Sequence, residues 1–307
     1  MHAGLRHRSD LLRALDDADR ADVSLSAAAL ALARTVIDAT DKSLQETAQD
    51  PADGAEAGIK LKSVGDYVTA LDLNLDRHLS RELMAMSDLP IVSEEGAEVA
   101  DLHSLPEAWL IDPLDGTTAS LCGEMGLCGP MVTRLRHGEP QLSVMLSLDG
   151  TTLAIADRGA GAAVLRVTVD GSRWLPATSF QAIDRLRDGC LLLNPQSDSS
   201  RSHRAFVTLH NALRTGAHTM AIESRVPHSM AALALGTGRR LAVIHDNSVD
   251  FPKQMAWDVL PVQLWVEERG GVYWGIDGNR YDIRRPLPII AATRADIATQ
   301  LIDLAGR

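Results

Sequence analysis

Carboxylates gathered in three short and widely separated blocks are the strongest constraint that this sequence places on its fold. The blocks are residues 91–96, 109–118 and 256–259, each at the end of an apolar run or the start of an amphipathic helix. Their five carboxylates are Glu94, Glu95, Asp112, Asp115 and Asp258. Carboxylates brought together repel one another unless they are protonated or bridged by cations. If the fold brings the three blocks together, their carboxylates predict a metal site. Hard oxygen ligands without a Cys or His cluster favour Mg²⁺ or Mn²⁺ over zinc.

Length and charge exclude several classes of protein. At 307 residues the chain can bury a large core, as one domain or as two packed ones. Its net charge of −11 argues against sequence-independent nucleic-acid binding, which needs a basic surface. No apolar run approaches the roughly 20 residues that cross a bilayer. We therefore expect neither nucleic acid nor a membrane as a partner.

The cysteines and the N-terminus indicate the cellular setting. Cys122, Cys128 and Cys190 are too few and too scattered for a disulfide framework, which favours a reducing, cytoplasmic setting. We interpret Cys122 and Cys128 as small buried side chains rather than reactive thiols. Residues 1–22 are treated as an N-terminal arm, because the charged stretch 1–20 lacks the apolar run of a secretion signal. That stretch is interpreted as an exposed arm or a short helix.

Hydrophobic patterning divides the remaining chain into an α+β half, residues 23–170, and an α/β half, residues 171–307. In the first half we expect helices at 24–48 and 69–86, strands at 89–93 and 108–111, and an antiparallel meander over 131–169. In the second half strands alternate with helices, which is typical of an α/β fold. There we expect strands at 190–193, 241–244, 271–274 and 288–292, and helices at 203–213, 230–235, 256–268 and from 295.

The central block follows a strand and precedes a stretch that can form a helix. Pro113 fixes one φ angle and Gly116 permits close backbone approach, so Asp112 and Asp115 can face the same cavity. The amides of residues 116–118 would then meet a phosphate at a helix N-terminus, where unpaired N–H groups favour anions. By itself the block also fits an Asp-initiated turn with a Thr cap.

The outer blocks have ordinary interpretations when each is taken alone. Glu94 and Glu95 fit the solvated face of a loop. Asp258 lies in the first turn of a helix, where an acidic residue commonly serves only the helix dipole. The joint pattern of all three blocks favours the metal site.

Together the blocks resemble the signature of the inositol monophosphatase superfamily of magnesium-dependent, lithium-sensitive phosphatases. Their order and approximate spacing agree over about residues 25–300. The resemblance is carried by Glu94-Glu95-Gly96, by Trp109-Leu-Ile-Asp-Pro-Leu-Asp-Gly-Thr-Thr118, by Trp257-Asp258 with Glu268-Arg-Gly-Gly271, and upstream by Lys62-Ser63 and Asp66-Tyr-Val-Thr-Ala-Leu-Asp72. It implies the layered α-β-α-β-α sugar-phosphatase fold, hydrolysis of a small soluble phosphomonoester, and a homodimer.

The resemblance also assigns metal ligands. Glu94, Asp112 and the Leu114 carbonyl would hold a first Mg²⁺, with Asp112 bridging to a second ion. Asp112, Asp115 and Asp258 would hold that second ion. A weaker third ion would be bound by Glu94 and water, and Mn²⁺ is an alternative metal.

Further roles concern the water and the phosphate. Asp72 and Thr117 would orient and deprotonate the attacking water, and the amides of Gly116, Thr117 and Thr118 would bind the phosphate. This division of labour suits phosphoryl transfer, which depends on an in-line nucleophile and on neutralised phosphate oxygens. The ordinary interpretation of Asp72 is a residue on a solvated helix face.

The chain departs from the family pattern on the substrate side. Ala119 replaces the usual Asn, and His228 replaces a Gly within residues 225–230. The acidic residue expected shortly before Trp257 is replaced around residues 250–253. We assign a substrate pocket to Glu95, Arg225, His228 and Lys253.

Three basic residues of that pocket, Arg225, His228 and Lys253, would contact a second anionic group. The alternative for each is a surface charge or a buried histidine. Rival functions are therefore a 3′(2′),5′-bisphosphate nucleotidase and a sugar bisphosphatase. A rival of another class is a non-catalytic binding module of the same fold.

Overall fold

The structure of the chain is a computed structural model. It describes residues 5–18, 23–49, 59–63, 66–96, 102, 104–176, 180, 189–194, 220–223, 228–233, 235, 240–245, 256–285 and 287–305. The chain divides into two compact units, Met1–Ala177 and Thr178–Arg307. Among the described residues no helix combines the length and the apolar character that a membrane span requires.

The first unit combines helices with an antiparallel meander. Its helices are α1 (Arg8–Asp16), α2 (Ala27–Gln49), α3 (Ala70–Met86) and the short α4 (Thr117–Leu121), followed by a 3₁₀ turn (Met125–Leu127). Its strands are β1 (Lys60–Ser63), β2 (Asp66–Val68), β3 (Ile91–Ser93), β4 (Glu107–Asp115), β5 (Gly129–Arg136), β6 (Glu139–Leu146), β7 (Thr152–Asp157), β8 (Gly161–Thr168) and β9 (Gly171–Pro176).

Strand order in the large sheet of the first unit follows the chain, from β3 to β9. β3 pairs with β4 in parallel, and every later pair is antiparallel. Strands joined by short turns pair antiparallel with their neighbours, which is why β5 to β8 form the expected meander. β9 extends the sheet past residue 170, and β1 and β2 form a separate hairpin that the sequence did not predict.

Two long helices cover this sheet. α2 packs against α3 and against β5, β6 and β7, whereas α3 packs against β4. The leucines at every fourth position of α3 lie on one helix face, and all four are buried: Leu71, Leu75, Leu79 and Leu83. This apolar stripe fixes the rotation of α3 and therefore which of its polar side chains point towards the end of β4.

The N-terminal segment forms a helix that is packed rather than exposed. Leu11 and Leu15 of α1 are buried, and α1 contacts α2, β8 and β9. The indole N–H of Trp174 in β9 donates to the Ala14 carbonyl oxygen at 3.0 Å. Of the two interpretations of this charged stretch, the structure supports the short helix, because its apolar residues share one face.

The second unit contains a mixed sheet. Its helices are α5 (His228–Leu233), α6 (Ala256–Glu268) and α7 (Ala295–Ala305). Its strands are β10 (Cys190–Asn194), β11 (Met220–Glu223), β12 (Arg240–His245), β13 (Val272–Gly275) and β14 (Ile289–Ala292), in the order β11-β10-β12-β14-β13. β10 is parallel to both β11 and β12, whereas β14 is antiparallel to both of its neighbours.

Helices pack on this sheet as well. α6 contacts β13 and β14, and α7 contacts β12, β13 and β14. Parallel strands alternating with helices confirm the α/β class expected for this half. β11 was not predicted, and the helix expected at residues 203–213 lies outside the described residues.

A buried histidine at the end of β12 makes stability depend on pH. His245 is 2% exposed, and burial lowers its pKa to about 4. In the unfolded chain a histidine titrates near pH 6.5, so between these values the unfolded state binds the extra proton. We therefore expect stability to fall as the pH drops from about 6.5 towards 4, by roughly 2 kcal/mol between pH 7 and pH 5 from this residue.

Urea unfolding at pH 7 and pH 5 measures this contribution. His245→Leu removes the titrating group, so the variant should lose less stability than the wild type over the same pH interval. An equal loss in both proteins would show that other groups set the acid sensitivity.

Candidate active site

A β-bulge brings the two aspartates of the central block to the same side of β4. Asp112 pairs with Met131 and Asp115 pairs with Gly129, so three residue steps on β4 face only two on β5. In a regular strand, residues three positions apart point to opposite faces, and the extra residue of a bulge reverses this. A carboxylate oxygen of Asp112 and one of Asp115 consequently lie within 4.8 Å of each other.

Local contacts hold the two ends of the bulge. Asp112 is 1% exposed, and its Oδ1 accepts a hydrogen bond from the Leu114 amide at 3.0 Å. Pro113 suits this position because it has no N–H to leave unpaired in the sheet. Gly116 follows with φ at 87°, a left-handed conformation that glycine adopts without steric cost, and the chain then enters α4.

The strand opposite Asp115 also requires glycine. A Cβ on Gly129 would lie 1.9 Å from the Leu146 carbonyl oxygen of β6. Side-chain atoms do not approach backbone oxygens so closely, so only glycine lets β5 and β6 pack together at this point. The backbone behind Asp115 is thereby fixed.

Glu94 follows the parallel neighbour of β4. Ser93 pairs with Ile111, and the Glu94 amide donates to the Ile111 carbonyl oxygen at 3.1 Å. Because β3 and β4 are parallel and Ser93 pairs with Ile111, Glu94 leaves β3 at the end of the sheet where β4 carries Asp112. Glu94 and the adjacent Glu95 are both partly buried.

Asp72 and Thr117, far apart in the sequence, are in direct contact. The Thr117 hydroxyl donates to Asp72 Oδ1 at 2.9 Å and also lies 3.3 Å from the Leu114 carbonyl oxygen. Asp72 is 2% exposed, so the interpretation of this residue as part of a solvated helix face is wrong. The helix face that carries Asp72 is instead directed at the start of α4.

Thr69, which orients Asp72, was not among the site residues expected from the sequence. The Thr69 amide donates to Asp72 Oδ2 at 2.9 Å, its hydroxyl also contacts Oδ2, and the Asp72 amide donates back to that hydroxyl. This capping box begins α3 and leaves Oδ1 of Asp72 directed at Thr117. A Thr followed three residues later by an acidic residue is a known signal for a helix start and would have identified Thr69.

The donor atoms at this end of β4 fit a hard divalent cation. The Asp112, Asp115 and Glu94 carboxylates and the Leu114 carbonyl are oxygen ligands of the kind that Mg²⁺ prefers. Cys128, the thiol near Asp115, does not compete with them. Burial, with a smaller contribution from the Asp115 charge, raises the pKa of this thiol to about 12, so it stays protonated and is a poor ligand.

Thiol labelling tests the burial of Cys128. Cys122 is exposed, which corrects the expectation that it is buried, whereas Cys128 and Cys190 are buried and burial raises the pKa of both. We expect iodoacetamide at about pH 8 to modify Cys122 in the folded protein and the other two only after unfolding. Mass spectrometry of digests identifies the sites, and rapid native labelling of Cys128 would contradict the assignment.

Other expected site residues lie in the second unit. Asp258 is partly buried in the first turn of α6, and its charge contributes, after burial and Tyr281, to raising the pKa of Tyr273. His228 begins α5, and its side chain is not among those described. Arg225 and Lys253 lie outside the described residues.

Comparison with known proteins identifies a matching family and several relatives. The model of the inositol monophosphatase family matches residues 17–305. An inositol-1-monophosphatase of Rhizobium meliloti (strain 1021) is 32% identical over 133 residues, which are 43% of this chain and 49% of that protein. The aligned region thus spans about half the length of that relative.

Solved structures show the same fold at lower identity. The extragenic suppressor protein suhB from Bartonella henselae is 20% identical, with a TM-score of 0.72 over 92% of this chain and 99% of its own. An IMPase/NADP phosphatase complexed with Mg²⁺ and phosphate is 18% identical, with a TM-score of 0.63 over 85% of this chain and 90% of its own. Because the family model matches almost the whole sequence, the chain belongs to the inositol monophosphatase family.

Proposed function

We propose that the protein is a Mg²⁺-dependent phosphatase that hydrolyses a small soluble phosphomonoester. The observation that carries this proposal is the partly buried hydrogen bond from Thr117 to Asp72 beside the paired carboxylates of Asp112 and Asp115. A hydroxyl bonded to a buried carboxylate is suited to accept and pass on a proton. Paired carboxylates at the same place are suited to hold cations.

The proposed metal ligands follow the family pattern. They are Glu94, Asp112, the Leu114 carbonyl and Asp115 of the first unit, with Asp258 of the second unit as a further ligand. Two or three Mg²⁺ ions, with Mn²⁺ as an alternative, would fit this number of oxygen donors. When bound, Mg²⁺ makes water more acidic and offsets the negative charge of the phosphate.

The chain's own residues then move the proton and hold the substrate. As the attacking water loses a proton to Thr117 Oγ1, the hydroxyl proton of Thr117 passes to Asp72 Oδ1. Thr69 keeps Asp72 in place through the second carboxylate oxygen. The amides of Gly116, Thr117 and Thr118 bind the phosphate oxygens.

The choice of substrate depends on the pocket residues. The relatives described above include an inositol-1-monophosphatase and an IMPase/NADP phosphatase, so inositol phosphates and nucleotide phosphates are both candidates. Glu95, Arg225, His228 and Lys253 would line the pocket. Three basic residues there favour a substrate with a second anionic group, such as a nucleoside bisphosphate or a sugar bisphosphate.

Phosphate release from a panel of compounds tests the proposal. The purified protein is incubated with Mg²⁺ and, in turn, with inositol, sugar, histidinol and nucleotide phosphates, including 3′,5′-bisphosphates. We expect release from at least one compound and loss of release when EDTA is added. No release from any compound would support a non-catalytic binding module with this fold.

Some expectations from the sequence remain predictions. These are the homodimer, the cytoplasmic location and the absence of nucleic acid among the partners.

A further inference from the structure

A second carboxylate of α3 contacts the other end of the candidate site. Asp76 lies one helical turn after Asp72, so the two side chains project from the same face of α3. The Ser93 hydroxyl donates to Asp76 Oδ1. α3 therefore contacts the Thr117 turn through one aspartate and the end of β3 through the other.

Ser93 is the last residue of β3 and directly precedes Glu94. It is 5% exposed, and its carbonyl oxygen accepts from the Gly96 amide at 3.2 Å, which closes the turn that contains Glu94 and Glu95. The backbone of this turn is thus anchored at Ser93. A shift of Ser93 would change the direction in which Glu94 leaves the strand.

Within the described part of the chain, Asp76 forms no ion pair, although the neighbouring Arg77 pairs with Glu46 of α2. Among the described residues, the hydrogen bond from the Ser93 hydroxyl is therefore the contact that holds the Asp76 carboxylate. Partial burial of the Asp76 carboxylate costs desolvation free energy. An aspartate that accepts from only one hydroxyl does little to stabilise α3, so this hydrogen bond is better explained by a role at the site.

We propose that Asp76 is a positioning residue that acts through Ser93 to set the place of Glu94 relative to Asp112. This inference rests on the proposed function, in which Glu94 and Asp112 are metal ligands. Residues that orient metal ligands by hydrogen bonds commonly change metal affinity about 10- to 100-fold when they are replaced. α3 then fixes both the proton-accepting pair and the glutamate ligand.

Metal binding separates this role from simple stabilisation. Binding of Mn²⁺ alone to the purified protein is followed by electron paramagnetic resonance, and the Mg²⁺ dependence of phosphate release is measured in parallel. We expect Asp76→Ala and Ser93→Ala each to raise the metal concentration for half-saturation by about tenfold. Turnover at saturating Mg²⁺ should be largely retained, and the double variant should be no worse than either single one.

Two further variants make the result specific. Asp76→Asn keeps an oxygen that accepts from Ser93 and should restore wild-type metal binding. Asn74→Ala, on the same helix, loses a hydrogen bond to Thr47 of α2 at 2.9 Å and serves as the matched control. It should lower thermal stability without changing the metal requirement.

The outcomes distinguish this inference from the proposed function. If Asp76→Ala and Ser93→Ala shift metal binding no more than Asn74→Ala, the positioning role is wrong, while wild-type phosphate release still stands. If the wild type binds Mn²⁺ but releases no phosphate, the proposed function fails and the binding shifts still decide the role of Asp76. If the wild type binds no Mn²⁺, both are overturned.

Discussion

Replacing Asp115 with Asn is expected to lower phosphate release by about a thousandfold while the protein still folds. The change removes a negative charge from the carboxylate pair, and a metal ion in such a site supplies several kcal/mol of transition-state stabilisation. Each 1.36 kcal/mol corresponds to a tenfold change in rate, which gives the expected size. Asn has nearly the shape of Asp, and Asp115 is only partly buried, so the bulge of β4 should persist.

The measurement is kcat at several Mg²⁺ concentrations, with circular dichroism to verify folding. Asp170→Asn makes the same chemical change on the exposed turn after β8 and should leave turnover unaltered. Unchanged turnover in Asp115→Asn would contradict its role as a metal ligand. A loss that excess Mg²⁺ fully reverses would reduce that role to a contribution to affinity.

Replacing Thr117 with Ala should lower kcat by about a hundredfold or more, because it removes the hydroxyl proposed to pass the proton to Asp72. Positioned proton transfer typically contributes 10²–10⁴-fold to an enzymatic rate. Asp72→Asn keeps one oxygen, which can accept either from Thr117 or from the cap of α3 but not from both, and its amide is a far weaker proton acceptor. We expect a similar loss from this variant.

Thr117→Ser keeps the hydroxyl and should recover most of the activity. Ser120→Ala removes a hydroxyl from the same short helix and is the matched control. If the two residues act as one unit, as proposed, the double variant Asp72→Asn with Thr117→Ala should be little worse than either single variant. Strictly additive losses would indicate that the two side chains act independently.

Helices of this protein are predictable from local sequence. The expected helix at 69–86 is observed as Ala70–Met86, because leucine spacing and the Thr69 cap are both local signals. The expected helix at 256–268 is observed with the same bounds. By contrast, β11 and the β1–β2 hairpin consist of strands of three or four residues, too short for a clear alternating pattern.

The end of β4 could not be predicted locally. The sequence indicated a strand over 108–111 followed by a turn, whereas β4 continues to Asp115. Pairing with β5 extends it through the bulge, and a partner strand is not visible in the block itself. Pro113 and Gly116 in the sequence indicated that Asp112 and Asp115 would face the same side. The bulge that places them there could be seen only in the structure.

Burial of Asp72 also depends on distant residues. Asp72 Oδ1 accepts a hydrogen bond from the hydroxyl of Thr117, which is 45 positions away in the sequence. From the sequence alone, an aspartate in the first turn of an amphipathic helix is as well suited to solvent as to a site. The family motif, rather than the local pattern, led to the correct pairing.

The extra residue between Asp112 and Asp115 has a consequence for finding distant homologues and for engineering. Deleting either Pro113 or Leu114 would remove the bulge: the two aspartates, then two positions apart, would still share a face of the strand, but the backbone between them, with the carbonyl proposed as a metal ligand, would be repositioned. Side-chain replacements at these two positions would leave the backbone count intact. Searches for remote relatives should therefore require two residues between the two aspartates, whatever those residues are. Designed libraries should vary the side chains at these two positions and keep the number of residues constant.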